Sequence, residues 1–273
     1  MRVELIVNRR SRLGARLGPA VRAALLGAGI EIVDARADAI VCAGGDGTLL
    51  ASVEASLARG VPLGVVPLGT FNELARTLGI PLDIEGAVAV IAKGATRAVD
   101  VGRVNGTHYL NEASIGISSR IARMQTPELK QRFGIIGVIA TVFSTMRHAR
   151  PMRVDVRYDG KRERLHTIQL TVANSHRFGG FLNVADAAID DGQLDLYSVD
   201  IHGLRELLSV GRAMLSGKPH DIAGLRTLRS TRFELTTRRP HRITADGEPA
   251  GRTPAVFEIL PKALRVFAPA GLG

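Results

Sequence analysis

The fold is decided by the stretch Val41-Cys42-Ala43-Gly44-Gly45-Asp46-Gly47-Thr48-Leu49-Leu50, in which an apolar run meets three glycines and a carboxylate. The residues before Gly44 predict a buried strand, and a helical pattern begins near Leu49. Glycines after a strand allow close approach of the backbone to a ligand, and the N–H groups at the start of a helix attract anions. The stretch lacks the lysine of a Walker A loop and the glycine spacing of the dinucleotide fingerprint. It predicts a phosphate-binding loop in which Asp46 acts through a bridging Mg²⁺, with a purely structural turn as the alternative.

A second stretch, GVVPLGTFNELAR at residues 64–76, repeats the order of strand, tight turn and helix. Thr70 and Asn72 stand where N-cap residues belong, so capping is the simplest role for each. Two such loops after consecutive parallel strands would lie side by side at the carboxyl edge of a sheet. Open α/β sheets bind their ligands at that edge.

Together the two loops resemble the diacylglycerol-kinase-type lipid kinase family, whose hallmarks are GGDGT followed by PLGT-x-N-x-x-A-R. Both signatures are complete, at residues 44–48 and 67–76. The same superfamily includes sphingosine, ceramide and NAD kinases. The resemblance implies ATP and Mg²⁺ as cofactors. It also implies a set of ATP-binding residues: Asn8, Gly44, Gly45, Asp46, Gly47, Thr48, Leu49, Leu50, Ala51, Thr70 and Asn72.

Two segments depart from the family pattern. Asn8 matches the first turn of the family, N-P-x-S-G, although Arg9 replaces the proline, so a plain turn residue is its alternative role. Only residues 34–38 separate a short predicted strand, 31–33, from the strand that begins at Ala39. Parallel neighbours need a crossover of a dozen or more residues, and the family places a helix there. The short strand is therefore either lost or connected differently, and we expect a more open nucleotide site on this side.

The element pattern predicts two domains. Alternating strands and helices in residues 1–100 predict an α/β domain with a three-layer parallel sheet. Many short strands and an Asn-Gly hairpin in residues 101–263 predict a mainly antiparallel β-sandwich. The resemblance implies that the last strand, about 264–269, could return to the first domain. An apolar helix predicted over 128–148 is either packed on a sheet or one wall of a lipid pocket.

An acidic turn in the second predicted domain suggests a cation. Asp190-Asp191-Gly192-Gln193-Leu194-Asp195 concentrates carboxylates that repel one another unless they are solvated or neutralised. The resemblance implies a structural Mg²⁺ there. Its ligands would be the carboxylate of Asp191 and the backbone carbonyl groups of Ala188 and Gln193.

The turn Asp246-Gly247-Glu248 is the third family signature. On an extended strand the side chains of Asp246 and Glu248 would share one face. The resemblance implies that one of them takes the proton from a substrate hydroxyl. Glu248 is the first choice for this base, and Asp246 is either the second choice or a group that orients Glu248. An exposed turn without catalytic function is the alternative.

The net charge of +10 indicates either a solvated basic surface or attraction to anionic lipid head groups. No aromatic-rich basic stripe accompanies the charge, so no nucleic-acid partner is expected. Cys42 is the single cysteine, which excludes an intrachain disulfide. No signal peptide is apparent, and the longest apolar run, 134–143, is too short to span a bilayer. We expect a cytoplasmic protein at the membrane periphery, with a homodimer left open.

These features predict an ATP-dependent lipid kinase that phosphorylates the hydroxyl of a diacylglycerol-like or sphingoid lipid at an anionic membrane surface. An NAD kinase is the second interpretation, because NAD kinases also carry GGDGT. A non-catalytic lipid-binding protein with a degenerate nucleotide site is the third. The short 34–38 link is the feature that favours it.

Overall fold

The computed structural model describes residues 1–8, 12–69, 72–117, 150–174, 177–178, 182–183, 188–200, 206, 209, 212 and 224–270. The chain divides into two compact units, Met1–Val101 together with Leu260–Gly273, and Gly102–Ile259. The first is an α/β unit with a mostly parallel sheet, and the second is an antiparallel β-sandwich. The fold class predicted from the sequence is confirmed.

The first unit contains a parallel sheet and the helices that pack on it. Its elements are β1 (Arg2–Val7), α1 (Arg12–Gly27), β2 (Glu31–Ile32), β3 (Ala39–Gly44), α2 (Asp46–Arg59), β4 (Leu63–Pro67), α3 (Glu73–Thr77), α4 (Ile84–Lys93) and β5 (Thr96–Val104). β3 and β4 are buried along their whole length, as expected for apolar strands covered on both faces.

The second unit consists of strands in its described part, apart from helical positions at 206, 209 and 212. The strands are β6 (Thr107–Tyr109), β7 (Glu112–Gly116), β8 (Met152–Tyr158), β9 (Lys161–Thr167), β10 (Gln169–Ala173), β11 (Arg177–Phe178), β12 (Leu182–Asn183), β13 (Leu194–Val199), β14 (Leu225–Ser230), β15 (Arg232–Thr237), β16 (Arg242–Ala245), β17 (Glu248–Arg252) and β18 (Ala255–Phe267). The last strand ends in the first unit, where Val266 pairs in parallel with Leu63.

The two sheets of the sandwich share an apolar cluster of described residues. One sheet has the order β14-β13-β10-β7-β16-β17, and the other contains β18-β15-β8-β9. Val172 and Leu196 from the first sheet and Val154, Phe233 and Phe257 from the second belong to the same buried cluster. Burying a side chain of this size contributes about 1.5–3 kcal/mol, so the cluster stabilises the unit.

The short 34–38 link does not need a crossover helix, because β2 is only two residues long. β2 pairs with the first residues of β1, Arg2 opposite Glu31, and β3 pairs with the other side of β1. The chain thus passes around the amino end of β1. Asp38 fixes this passage by accepting hydrogen bonds from the backbone N–H of Arg2 at 2.9 Å and from its guanidinium at 2.8 Å. The short strand is retained and connected differently.

The chain changes sheet at two short connections in the second unit. β9 ends at Thr167 and β10 begins in the other sheet at Gln169. Similarly, β14 ends at Ser230 and β15 begins in the other sheet at Arg232. By contrast, β18 is one strand from Ala255 to Phe267. Within β18 the left-handed φ of 52° at Lys262 is held by a 2.6 Å hydrogen bond from its N–H to buried Asp100.

Two further predictions cannot be compared with the structure. The helix predicted over 128–148 and residue Thr70 lie outside the described residues. In the described part of the chain no helix is both long and apolar enough to cross a membrane.

Candidate functional site

Three parallel strands of the first unit end side by side. Val7 pairs with Ala43, and Gly44 pairs with Pro67, so the carboxyl ends of β1, β3 and β4 lie at the same sheet edge. Exposed Asn8 follows the first of these strands. The two glycine loops follow the other two. The arrangement is the one expected for a ligand-binding edge of an α/β sheet.

The first glycine loop leads directly into α2. This helix begins at Asp46, earlier than the start predicted near Leu49, so that Asp46, Gly47 and Thr48 form its first turn. Gly45 is the N-cap with extended backbone angles, and it has no side chain with which to cap the helix. The first N–H groups of a helix have no partner within it and mark its positive end. This N-terminus is therefore suited to a phosphate group.

The remaining predicted residues of this loop differ in exposure. Gly47 and Ala51 are exposed, Thr48 and Leu50 are half-buried, and Leu49 packs in the core. A Cβ atom on Gly44 would lie 2.6 Å from both Cβ and Oγ1 of Thr48. Glycine at position 44 thus leaves the space that the Thr48 side chain fills.

The second loop contacts the first through backbone atoms. The N–H of Leu68 donates to the carbonyl oxygen of Gly44 at 3.0 Å. A Cβ atom on Gly45 would lie 3.2 Å from the Cα atom of Gly69, and one on Gly69 would lie 2.6 Å from the Cα atom of Gly45. The two loops lie side by side, as the sequence predicted, and their close contact requires glycine at positions 45 and 69.

Asn72 organises the second loop and does not cap a helix with its side chain. It stands at the N-cap position of α3 with a left-handed φ of 50°, but its side chain turns back to Gly69. Its Oδ1 accepts from the N–H of Gly69 at 2.9 Å, and its Nδ2 donates to the carbonyl oxygen of Gly69 at 2.9 Å. The simple capping role considered for Asn72 is therefore wrong.

In the second unit, the third signature forms a hairpin turn and not an extended strand. Asp246 and Gly247, with φ angles of 45° and 89°, connect β16 to β17, and Ala245 pairs with Glu248. Two central residues with positive φ are typical of a type I′ turn. The expectation that Asp246 and Glu248 share the face of one strand is therefore wrong.

The two carboxylates of this turn have different surroundings. Asp246 Oδ2 accepts from the N–H of Leu110 at 2.7 Å, and Oδ1 accepts from the N–H groups of Asn111 and Glu112 at 3.0 Å each. Asp246 thus fastens the turn to the segment before β7. Glu248 is exposed, and no described residue makes a hydrogen bond or ion pair with its carboxylate. Of the two carboxylates, that of Glu248 is the exposed one.

Tyr109 is a buried group beside this turn that the sequence did not single out. Its ring lies where a side chain at Gly102 would be, since a Cβ atom there would meet ring carbons at 2.3–2.7 Å. Its hydroxyl is buried and has no hydrogen-bond partner in the described part of the chain. Burial, followed by the nearby negative charge of Asp246, raises the pKa of Tyr109 well above its usual value. The phenol therefore stays neutral.

The predicted metal ligands lie in a loop that Asp191 holds together. Asp191 accepts hydrogen bonds from the N–H groups of Ala188 at 3.0 Å and Gln193 at 2.9 Å, and it pairs with the guanidinium of Arg229. A cation held by Asp191 and the carbonyl groups of Ala188 and Gln193 stays a prediction from the resemblance. Across the described residues, no cluster of three or more His, Cys, Asp or Glu side chains is arranged to hold a metal ion. Arg229 is the partner that the sequence analysis missed.

Both units match families with established descriptions. Residues 26–104 match the diacylglycerol kinase catalytic domain, and residues 111–268 match the YegS C-terminal NAD kinase beta sandwich-like domain. The second match covers more than half of the chain.

Similar proteins include characterised and uncharacterised members. The chain is 30% identical to a diacylglycerol kinase of Bacillus subtilis, over 85% of this chain and 78% of that protein. It is 29% identical to an uncharacterized protein of Synechocystis, of which it spans 54%.

Solved structures give the same result for the fold. A structure of a candidate diacylglycerol kinase from Bacillus anthracis superimposes with a TM-score of 0.79 at 25% identity. The superposition covers 98% of this chain and 95% of that one. The motifs, the two-unit fold and these matches together show that the chain belongs to the diacylglycerol kinase family of lipid kinases.

Proposed function

We propose that the protein is an ATP-dependent lipid kinase that transfers the γ-phosphate of ATP to the hydroxyl group of a membrane lipid. The observation that carries this proposal is the backbone contact between Gly45 and Gly69 at the N-terminus of α2. Glycine at both positions lets a ligand approach the backbone closely at this helix N-terminus. The N–H groups at the start of a helix attract anions such as the phosphates of ATP.

The first unit would bind the nucleotide. Backbone N–H groups in the stretch 44–48 would hold the phosphates, and Asn8 and Thr70 are further ATP contacts that the resemblance implies. The resemblance assigns Asp46 to a nucleotide-bound Mg²⁺, and carboxylates are preferred Mg²⁺ ligands. When bound, Mg²⁺ would neutralise charge on the transferring phosphoryl group.

The second unit would supply the base. Glu248 would accept the proton of the lipid hydroxyl as the hydroxyl oxygen attacks the γ-phosphorus. ADP would leave on the opposite side. Asp246 would act as a positioning residue, because its carboxylate fastens the turn from which Glu248 projects. Base catalysis of this kind contributes about 10²- to 10⁴-fold.

The substrate would be a lipid alcohol at an anionic membrane surface. Diacylglycerol, a sphingoid lipid such as ceramide, and phosphatidylglycerol all carry a suitable hydroxyl. The net charge of +10 supports attraction to such a surface.

The proposal is tested by incubating the protein with γ-labelled ATP, Mg²⁺ and a total lipid extract in detergent, with Asp46→Ala alongside. Chloroform-soluble label that is absent with the variant is the expected result, and chromatography then identifies the lipid. No label in any lipid class, from a folded preparation that also fails to bind ATP by calorimetry, would overturn it. That result would favour a non-catalytic lipid-binding protein. Formation of NADP⁺ from NAD⁺ in a coupled assay would instead favour an NAD kinase.

A further inference from the structure

The guanidinium group of Arg229 forms an ion pair with the carboxylate of Asp191 in the acidic loop of the second unit, residues 188–195. Arg229 Nη2 pairs with Asp191 Oδ2, and Arg229 Nε lies 3.9 Å from Asp195 Oδ1. The Arg229 side chain is 42% exposed, whereas those of Asp191 and Asp195 are 21% and 11% exposed. One positive charge therefore lies between two shielded negative ones.

The register of the sheet brings Arg229 to this loop. Asp195 on β13 stands directly opposite Arg229 on β14, the edge strand of its sheet. Opposite charges in a directly paired position stabilise antiparallel strands. The long arginine side chain extends past Asp195 and reaches Asp191 in the loop that precedes β13. Sequence spacing does not predict this pair, since the two residues are 38 positions apart.

Both oxygens of Asp191 are engaged by donors. Oδ2 accepts from the N–H of Ala188 in addition to the guanidinium, and Oδ1 accepts from the N–H of Gln193. The carboxylate therefore closes the loop on itself, with Arg229 as its charged partner. Mg²⁺ demands near-octahedral coordination with oxygen ligands at about 2.0–2.1 Å. An ion at Oδ2 would lie beside the Arg229 guanidinium, and the repulsion between the two cations opposes its binding.

Within the contacts described, the positive charge of Arg229 compensates Asp191, with which it pairs, and lies beside Asp195.

We infer that Arg229 is a built-in counter-ion that takes the place of a structural divalent cation in the 188–195 loop. On this inference the hydrogen bonds and the ion pair of Asp191 close the loop without a structural divalent ion. This inference concerns the stability and metal content of the second unit. It therefore holds or fails independently of the kinase proposal.

The test measures metal dependence in the full-length protein without nucleotide. Thermal unfolding is recorded in EDTA and in 5–10 mM MgCl₂ (about the concentration that saturates a weak site), and bound metal is measured by elemental analysis after gel filtration. For the natural protein we expect the same Tm in both buffers and no retained magnesium. A Mg²⁺-dependent rise in Tm of several degrees, with about one ion retained per chain and lost in Asp191→Asn, would overturn the inference.

The variant Arg229→Gln tests the exchange of cation directly. We expect a lower Tm in EDTA that is partly restored by Mg²⁺, and no restoration when Asp191→Asn is added. Arg226→Gln is the matched control, because Arg226 lies on the same strand but pairs with Glu163. It should show no response to Mg²⁺. A loss of stability in Arg229→Gln that Mg²⁺ leaves unchanged would contradict the exchange.

Arg229→Lys is the second variant, for the case that Arg229→Gln does not fold. Because lysine keeps the positive charge, this variant should fold and its Tm should not depend on Mg²⁺. A Mg²⁺-dependent Tm in Arg229→Lys would count against the inference.

Discussion

A Cβ atom on Gly69 would lie 2.6 Å from the Cα atom of Gly45, so the loops after β4 and β3 contact each other backbone to backbone. The contact is reinforced by the 3.0 Å hydrogen bond from the N–H of Leu68 to the carbonyl oxygen of Gly44. Backbone atoms cannot rotate away as a flexible side chain can. The position of each loop is therefore set by the other.

We predict that Gly69→Ala separates the two loops. The added methyl group meets the backbone of Gly45 and also Asn72 Oδ1 at 2.8 Å. Overpacking of this kind costs about 1–3 kcal/mol, and a 1 Å displacement of phosphate-binding groups lowers catalytic efficiency about 10²-fold. Thermal unfolding and kcat/KM for ATP measure the two effects.

Two matched alanine variants control for this prediction. Gly45→Ala should be milder, because its Cβ would lie 3.2 Å from Gly69 Cα. Gly27→Ala at the end of α1 meets nothing within 4 Å, and it should leave activity unchanged and stability equal or slightly higher. Full activity in Gly69→Ala would show that the loop contact is dispensable.

The glycine loops illustrate what the sequence could predict. Apolar strands followed by Gly44 and Gly45, and again by Gly69, indicated phosphate loops at one edge of a parallel sheet, because parallel strands end at the same edge. The contact between the loops could not be predicted. It depends on the register that sets Gly44 opposite Pro67, and register is a property of the packed sheet.

Long-range pairs account for most of what the sequence could not predict. Arg229 meets Asp191 only because β13 and β14 pair in one register. Similarly, the acceptors that Asp246 provides are matched to N–H groups more than 130 residues away. A pattern of residue types shows that a carboxylate lies in a turn. It does not show which donors the fold brings to that carboxylate. Those donors are what distinguishes hydrogen-bonded Asp246 from exposed Glu248.

The side chain of Asn72 should be replaceable only with a loss of loop order. Asn72→Ala removes both hydrogen bonds to Gly69. It also puts alanine at a left-handed φ, where its side chain makes no hydrogen bond that would stabilise this conformation. Each bond contributes about 0.5–1.5 kcal/mol, and the strain about 1 kcal/mol. Asn72→Gly removes the bonds and relieves the strain. Urea denaturation should rank stability as natural protein, then glycine, then alanine; equal stabilities would contradict a loop-holding role.

Asp38 should make stability depend on acid pH. Hydrogen bonds from the Arg2 side chain, with smaller backbone and charge effects, lower the pKa of Asp38 to about 2 from its ordinary value of 3.8. A carboxyl group whose pKa is lower in the folded state stabilises it above the unfolded-state pKa and loses that effect as pH falls. Asp38→Asn should therefore have a lower Tm than the natural protein at pH 7. The difference should fade between about pH 5 and pH 2.

Asp34→Asn is the control for this pH effect, since Asp34 lies in the same link without the Arg2 contacts. Its Tm should follow that of the natural protein at every pH. A difference between Asp38→Asn and the natural protein that is unchanged at pH 2 would assign the effect to shape and not to charge.

The base assignment can be decided by two isosteric amides that are expected to act differently. Glu248→Gln removes a proton acceptor from an exposed side chain without described partners, so kcat should fall about 10²- to 10⁴-fold while Tm stays unchanged. Asp246→Asn tolerates the left-handed φ but turns an amide group toward an N–H donor. That mismatch costs about 1–3 kcal/mol and should lower Tm as well as activity. If Asp246→Asn kept the natural Tm and lost as much kcat as Glu248→Gln, Asp246 would itself be the base.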